Sequence, residues 1–447
     1  METVRRLAEF VVAARAVALS AEDRQHAARS ILDLVAAAAG GIGAPGPRAV
    51  RSAALASFGA GDFPVWFTGR RCSLIGSVWC NSAAAAALDL DDGHRLARGH
   101  PGAAVIPAAF AMAQQMGAST EMLLQAIVVG YEVGVAVGAA RRFYANTGMW
   151  SGYGVVAALG VLRATPPEQL AHGFAIAGVS APNQLHAGAG PAYPAMEGSD
   201  VKEGIPWSSV TAVQALLLAE AGHTGPLGLL DAEANIASRD IVAGLGTRRH
   251  IARSYFKFHA CCRHVHAPVD ALLGLMRRHG LGANDIDAVE VATYSGALRI
   301  ANRPDPTGTT EIQFSIPYCL GLAALDGAAA LLPLAADALG RPEVTAFARK
   351  VSLRLDPELD SRFPAETLAV VSLAAGGQRF VSPVTAPRGE ASDPPSWEAL
   401  EEKLVTATRF VATPTQQAAL LSAVHRLRDG DHADLIRYFA GEIHKSE

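Results

Sequence analysis

The chain has 447 residues, half of them apolar and 18% charged, so it can bury a large core and is too apolar for a disordered protein. Its net charge of −4 and its low aromatic content of 6% argue against a nucleic-acid partner. Five cysteines without a CxxC spacing disfavour a zinc ribbon or an iron–sulfur cluster, and they are typical of reduced thiols in the cytoplasm.

The pattern of residues 1–255 predicts one helix after another. The N-terminal segment has apolar residues at helical spacing, interrupted by Glu9, which favours an amphipathic helix over a signal peptide. The most apolar stretch, residues 123–140, carries Glu132 at its centre, so we expect a buried core helix and no membrane span. Residues 184–205 are rich in glycine and proline, and they predict a long loop of the kind that is often functional.

Near residue 256 the pattern changes from helices to strands. Residues 286–294 alternate between polar and apolar positions, as a strand does, and four prolines in residues 383–396 indicate a linker. The sequence therefore predicts a mainly α protein, in which a large all-α domain carries an inserted, smaller α+β lid domain. The predicted segments are the first part of the large domain (1–255), the lid (256–395) and the C-terminal helices that return to the large domain (396–447).

Residues 88–102 hold three carboxylates, two imidazoles and two guanidinium groups at the end of an apolar helix. Such mutually perturbing groups are what acid–base chemistry requires, and the candidates are Asp89, His94, Arg98 and His100. A solvated turn with an ion pair at the helix end is an equally simple explanation. A magnesium site is disfavoured because no phosphate-binding loop is visible, and the acid of a terpene cyclase would need more aromatic residues around it.

Further candidate binding groups follow along the chain. Lys202 lies at a junction between loop and helix, where it can bind a carboxylate, although a solvated surface lysine is the commoner case. Lys257, Arg263 and His266 lie where the second lobe begins, and they suit an anionic substrate better than zinc because the adjacent cysteines between them bind one ion poorly. Tyr318 can donate a proton or a hydrogen bond, or be a half-buried core tyrosine.

Taken together, these segments resemble the MmgE/PrpD family, whose members include 2-methylcitrate dehydratase, cis-aconitate decarboxylase and iminodisuccinate epimerase. The resemblance runs along nearly the whole chain. Its most specific part is LDLDD…RGHPGAAVIPA at residues 88–108, followed by the lysine, Cys-Cys and histidine segment at 257–266 and by FSIPY at 314–318. The resemblance implies a homodimer with a cleft between the large domain and the lid, and an activity that needs no metal, iron–sulfur cluster or other cofactor.

The resemblance also implies roles for individual residues. The positions that match the family's active-site groups are Asp89, His100, Lys202, Lys257, His266 and Tyr318. His100 is the candidate general base or acid, and Asp89 orients it or relays its proton. Lys202 and Lys257, with Arg98 or Arg263, form ion pairs with the carboxylates of the substrate. Tyr318 protonates a leaving hydroxyl group or the opposite face of the substrate.

Two positions depart from the family pattern. The family commonly has threonine or serine after its Asp-Asp pair, where this chain has Gly93. Members usually carry a histidine in a Gly-x-His-x-Thr stretch, where this chain has Trp150, which we expect at the substrate site. In addition, Cys262 stands where cis-aconitate decarboxylase has a histidine. These departures disfavour methylcitrate itself as the substrate. His94, His186 and His264 are the candidates to replace the lost histidine.

The sequence therefore predicts a cofactor-independent lyase of the hydro-lyase type. Its substrate is a small di- or tricarboxylic acid, and its chemistry is proton transfer at the carbon next to a carboxylate. An epimerase, another isomerase or a decarboxylase of a related dicarboxylate uses the same step and differs in what leaves and which face is reprotonated. A catalytically silent binding protein on the same fold also fits the replacements at Gly93 and Trp150.

Overall fold

The secondary structure is mainly helical, which confirms the predicted fold class. The computed structural model describes residues 2–143, 145–182 and 198–443. The helices before residue 256 are α1 (Thr3–Arg15), α2 (Ala21–Gly41), α3 (Pro45–Phe58), α4 (Leu74–Ala86), α5 (Gly102–Met116), α6 (Thr120–Ala139), α7 (Gly148–Arg163), α8 (Pro167–Val179), α9 (Ile205–Glu220) and α10 (Ser238–Ala243). The later helices are α11 (Arg263–His279), α12 (Ser295–Leu298), α13 (Thr309–Gln313), α14 (Ile316–Asp326), α15 (Pro342–Ala348), α16 (Pro357–Arg362), α17 (Trp397–Ala407), α18 (Pro414–Arg428) and α19 (Ala433–Ala440). Short turns of 3-10 helix span Leu229–Asp231, His250–Arg253, Ala283–Asp285, Ala328–Ala330 and Ala336–Ala338.

Within the described residues, the strands form one four-stranded sheet and two small pairs. They are β1 (Phe63–Val65), β2 (Arg70–Cys72), β3 (Gly93–His94), β4 (Ser254–Tyr255), β5 (Ile286–Thr293), β6 (Val351–Leu355), β7 (Ala369–Ala375) and β8 (Gln378–Val381). The sheet has the order β6-β5-β7-β8, with β5 parallel to β6 and antiparallel to β7. Helix α11 packs on β7. The sheet lies within the segment predicted to be the lid, whose boundaries stay a prediction.

Helix α6 lies in the middle of the helical core. By length and composition alone, this helix could cross a membrane. However, 83% of its most apolar 18-residue stretch is buried inside the protein. It packs along α7. The carboxylate of Glu132, at the centre of α6, accepts the backbone N–H groups of Gly246 and His250 at 3.1 and 2.8 Å, so this charge is satisfied within the fold.

Three sets of contacts bring the first half of the chain against the second half. Strand β3 pairs with β4, so the loop that follows α4 lies beside the start of the later segment. Arg95 and Arg263, one from each side, both donate to the carboxylate of Glu390. Helix α17 also returns from the C-terminal region and packs on α2. The residues of 88–102 and those that begin at Lys257 are therefore neighbours.

Candidate active site

Asp89 is the centre of a buried charged cluster. It follows α4 with a φ of +52°, a left-handed conformation that residues other than glycine rarely adopt. Its Oδ1 accepts a hydrogen bond from Lys257 Nζ, and its Oδ2 lies 3.0 Å from Lys202 Nζ. Burial opposes the ionisation of Asp89, but the two lysines outweigh it and lower the pKa of the carboxyl. Asp89 is therefore a carboxylate held between two ammonium groups.

The same contacts keep both lysines charged. Burial opposes the protonation of Lys202 and of Lys257, but the neighbouring carboxylates together outweigh it and raise the pKa of each lysine. These carboxylates are Asp89 and Glu203 for Lys202, and Asp89 and Asp91 for Lys257. Lys257 Nζ donates a second hydrogen bond to the backbone carbonyl of Asp89 at 2.9 Å, and Lys202 Nζ lies 4.5 Å from the centre of the Phe314 ring. The cluster thus places two fixed cations side by side in a site that is almost closed to solvent.

His100 lies against this cluster with only 5% of its surface exposed. Its Nδ1 is 2.9 Å from the carbonyl oxygen of Asp92, and because a carbonyl only accepts, Nδ1 is the donor. Its Nε2 lies 3.3 Å from Asp89 Oδ1. The nitrogen that can exchange a proton with a substrate is therefore Nε2, next to the carboxylate that the lysines hold.

The structure thus brings together four residues that the sequence singled out: Asp89, His100, Lys202 and Lys257. Their catalytic roles stay predictions. Asp89, Asp91 and His100 also have ligand atoms within 4.8 Å of one another, a spacing that a metal ion can use. However, both oxygens of Asp89 already face lysine ammonium groups, and these repel a cation. The two ammonium groups suit an anionic ligand better than a metal.

The other predicted residues have partners elsewhere. Arg263 binds Glu390 and lies over the ring of Tyr255, 4.5 Å from its centre. His266 Nε2 lies 3.2 Å from the carbonyl oxygen of Cys261. The hydroxyl of Tyr318 donates to the carbonyl of Ala338 at 2.8 Å. Within the described ranges, none of these three side chains has a hydrogen bond or ion pair with the Asp89 cluster.

His94 and Trp150 support the loop that carries His100, and Arg98 lies in this loop. Arg98 is half-buried in this loop, with a φ of +50°. The ring of His94 packs on that of His250 at 5.1 Å, and burial, together with His250, lowers the pKa of His94 to about 3, so the ring is neutral. Trp150 is buried, and a Cβ added at Gly99 would lie 3.0 Å from its ring. The tryptophan therefore packs behind the backbone that precedes His100.

Several groups around the cluster were not predicted. Glu203, next to Lys202, has a carboxylate oxygen 3.9 Å from His100 Nε2. Asp91 and Asp92 are fully buried, and burial raises the pKa of each. Asp92 accepts the hydroxyl of Tyr131 at 2.9 Å. The Asp-Asp pair was visible in the sequence, but Glu203 carried no signal there beyond its place beside Lys202. Of the predicted functional loop, residues 184–197 lie outside the described residues.

Gly93 stands where the resemblance described above predicts a threonine or serine. A Cβ added at Gly93 would lie 2.4 Å from the ring of Tyr255 and from its hydroxyl, a distance that real side chains do not tolerate. The tyrosine therefore fills the space that a threonine or serine would need. We expect Gly93→Ser to lower the free energy of unfolding in urea by about 1–3 kcal/mol, the usual cost of overpacking.

Gly43 provides the matched control for this prediction. It is exposed, and a Cβ added there meets no atom within 4 Å, so Gly43→Ser should leave stability unchanged. The second replacement Tyr255→Ala should recover part of the stability lost in Gly93→Ser. Equal unfolding curves for Gly93→Ser and Gly43→Ser would contradict the steric explanation.

Comparison with known proteins identifies the family. Residues 5–239 match the MmgE/PrpD N-terminal domain, and residues 259–429 match the MmgE/PrpD C-terminal domain. The chain belongs to the MmgE/PrpD family. Two cis-aconitate decarboxylases of Aspergillus terreus, one of them from strain NIH 2624 / FGSC A1156, are 26% and 27% identical to it over 332 residues. These matches cover 65% of this chain and 66% of each relative, so the chain spans slightly less than two thirds of their length.

Proposed function

We propose that this chain is a cofactor-independent lyase of the hydro-lyase type that acts on a small di- or tricarboxylic acid. The observation that carries the proposal is the pair of cationic lysines, Lys202 and Lys257, beside Nε2 of His100. A proton next to a carboxylate is weakly acidic, so its removal requires positive charge where the negative charge develops. Two buried ammonium groups provide that charge.

In this proposal His100 Nε2 takes the proton from the carbon next to a substrate carboxylate. The C–H electron pair becomes charge on that carboxylate, which the lysines stabilise, and then forms the C=C bond as the hydroxyl group leaves. The proton held by His100 returns to the hydroxyl, so the products are an alkene and water. Asp89 holds the charged imidazole during the step. Tyr318 is left out because its hydroxyl donates to Ala338.

The comparisons support a carboxylic-acid lyase of this general kind, since the relatives are named for the decarboxylation of cis-aconitate. A decarboxylase or an epimerase of a related dicarboxylate needs the same lysines and the same histidine, and both remain alternatives. A silent binding protein would keep the lysines and lose turnover. That the protein is a cytoplasmic homodimer stays a prediction.

We expect the purified protein to convert at least one acid of a citrate-like panel in D₂O. Formation of an ultraviolet-absorbing alkene without release of CO₂ would support the hydro-lyase. Release of CO₂ would favour the decarboxylase. Deuterium in recovered substrate, without loss of water or CO₂, would favour the epimerase. Binding of these acids without turnover or exchange would indicate the silent binding protein and contradict the proposal. Absorbance follows the alkene and proton NMR follows the exchange of deuterium, while a CO₂ assay of the same incubation and a separate calorimetric titration measure the other two outcomes.

A further inference from the structure

Glu203 has a strained backbone that the start of α7 holds in place. Its φ is +50°, in the left-handed region. Its carbonyl oxygen accepts the N–H of Gly148 at 2.9 Å, and a Cβ added at Gly148 would lie 2.7 Å from that oxygen, so only glycine allows this approach. Strained residues of this kind persist where the surrounding structure fixes them, and they cluster at functional sites.

One oxygen of the Glu203 carboxylate is fully engaged. Oε2 accepts the hydroxyl of Thr147 and also its N–H, at 3.3 Å. Thr147 immediately precedes α7, where the helix dipole favours a negative charge. The oxygen of the Thr147 hydroxyl also accepts the N–H of His100 at 3.2 Å. Glu203 and His100 are therefore held in a fixed relation to each other by one threonine.

The other oxygen, Oε1, faces the charged cluster. It lies 3.7 Å from Lys202 Nζ and 3.9 Å from His100 Nε2, which is too far for a hydrogen bond. Burial opposes the ionisation of Glu203, but Lys202 and then His100 outweigh it and lower its pKa. The side chain is 16% exposed, against 1% for Asp89 and 4% for Lys202. Oε1 is thus an oriented, ionised acceptor at the more open side of the cluster.

An ionised carboxylate with a lowered pKa is a weak base. It is therefore better suited to accept a hydrogen bond than to remove a proton from carbon. We propose that Glu203 is a specificity-determining residue, whose Oε1 accepts a hydrogen bond from a hydroxyl or ammonium group of the substrate. This inference rests on the proposed function, in which Lys202 and Lys257 bind a substrate carboxylate. A ligand that offers only carboxylates would bring like charge against Glu203.

Three acids of equal carbon chain length test this inference by calorimetric titration of the full chain. Succinate has no donor, malate has a hydroxyl and aspartate has an ammonium group. We expect the wild type to bind malate or aspartate at least about tenfold more tightly than succinate, the usual effect of a hydrogen bond to a charged group. In Glu203→Gln that preference should fall to about threefold or less, and whichever acid loses more affinity identifies the donor.

Asp200→Asn is the matched control, because Asp200 is an exposed carboxylate three positions before Glu203. It should keep the wild-type preference. An unchanged preference in Glu203→Gln would overturn the role of Glu203 and leave the proposed function standing. Failure of the wild type to bind any of the three acids would overturn this inference, whereas the proposed function is overturned only if the citrate-like panel is also neither bound nor converted. Near-ultraviolet circular dichroism of each variant verifies that the fold is intact.

Discussion

Replacement of His100 by alanine is expected to lower kcat by about 10² or more on whichever acid the wild type converts, because the proton-transfer group is removed. The fold should survive, since the imidazole has a single hydrogen bond, to the carbonyl of Asp92, within the described part of the chain. Loss of that buried bond should cost about 1–3 kcal/mol of unfolding free energy. Steady-state kinetics and urea unfolding of the same preparation separate the two effects.

Two variants define this prediction further. His100→Gln keeps a side chain that can donate to the Asp92 carbonyl but exchanges no proton, so it should be as inactive as alanine and more stable. His223→Ala removes an exposed histidine and should leave kcat unchanged. Turnover of His100→Gln close to the wild-type value would remove His100 from the proton transfer.

The mainly α fold and part of the site could be predicted from the sequence because their signals are local. Asp89 and His100 are eleven positions apart in one dense segment, and Lys257 begins another such segment. The junction between these two segments depends on the pairing of β3 with β4 and on the shared contacts of Glu390. No spacing along the chain reveals a pairing of that kind.

Glu203 and Tyr318 illustrate what sequence alone could not determine. Glu203 enters the cluster because its backbone adopts a left-handed conformation, which no sequence pattern around it indicates. Tyr318 carries a hydroxyl of suitable chemistry, but the acceptor that it finds is the carbonyl of Ala338. Residue type indicates which chemistry is available, whereas the direction of a side chain depends on tertiary packing.

A second ion pair supports the segment that carries Asp89. Lys403, on α17, donates to the carboxylate of Asp33, on α2, and to the carbonyl of Leu90 at 2.8 Å. Both charged side chains are fully buried. Burial raises the pKa of Asp33 to about 6, although Lys403 opposes this shift. The pair therefore joins two helices to the turn at Leu90, and each buried charge stabilises the other.

We expect Lys403→Met to be less stable at pH 8 than the double variant Asp33→Asn/Lys403→Met by about 3–5 kcal/mol, the usual cost of a buried charge without its partner. The two variants lack the same hydrogen bond to Leu90, so their difference isolates the carboxyl of Asp33. Urea unfolding of both proteins at pH 8 and at pH 5 measures it.

The difference in unfolding free energy between these two variants should depend on pH, because the carboxyl of Asp33 titrates. The pKa of Asp33 is already higher in the folded wild type than in an unfolded chain, and loss of Lys403 raises it further. A carboxyl whose pKa is raised by folding contributes stability that is fully present below the unfolded pKa of about 4 and is lost as the pH rises through the folded pKa. The difference in unfolding free energy between the two variants should therefore be smaller at pH 5 than at pH 8. An equal gap at both pH values would mean that Asp33 is not the group that makes Lys403 necessary.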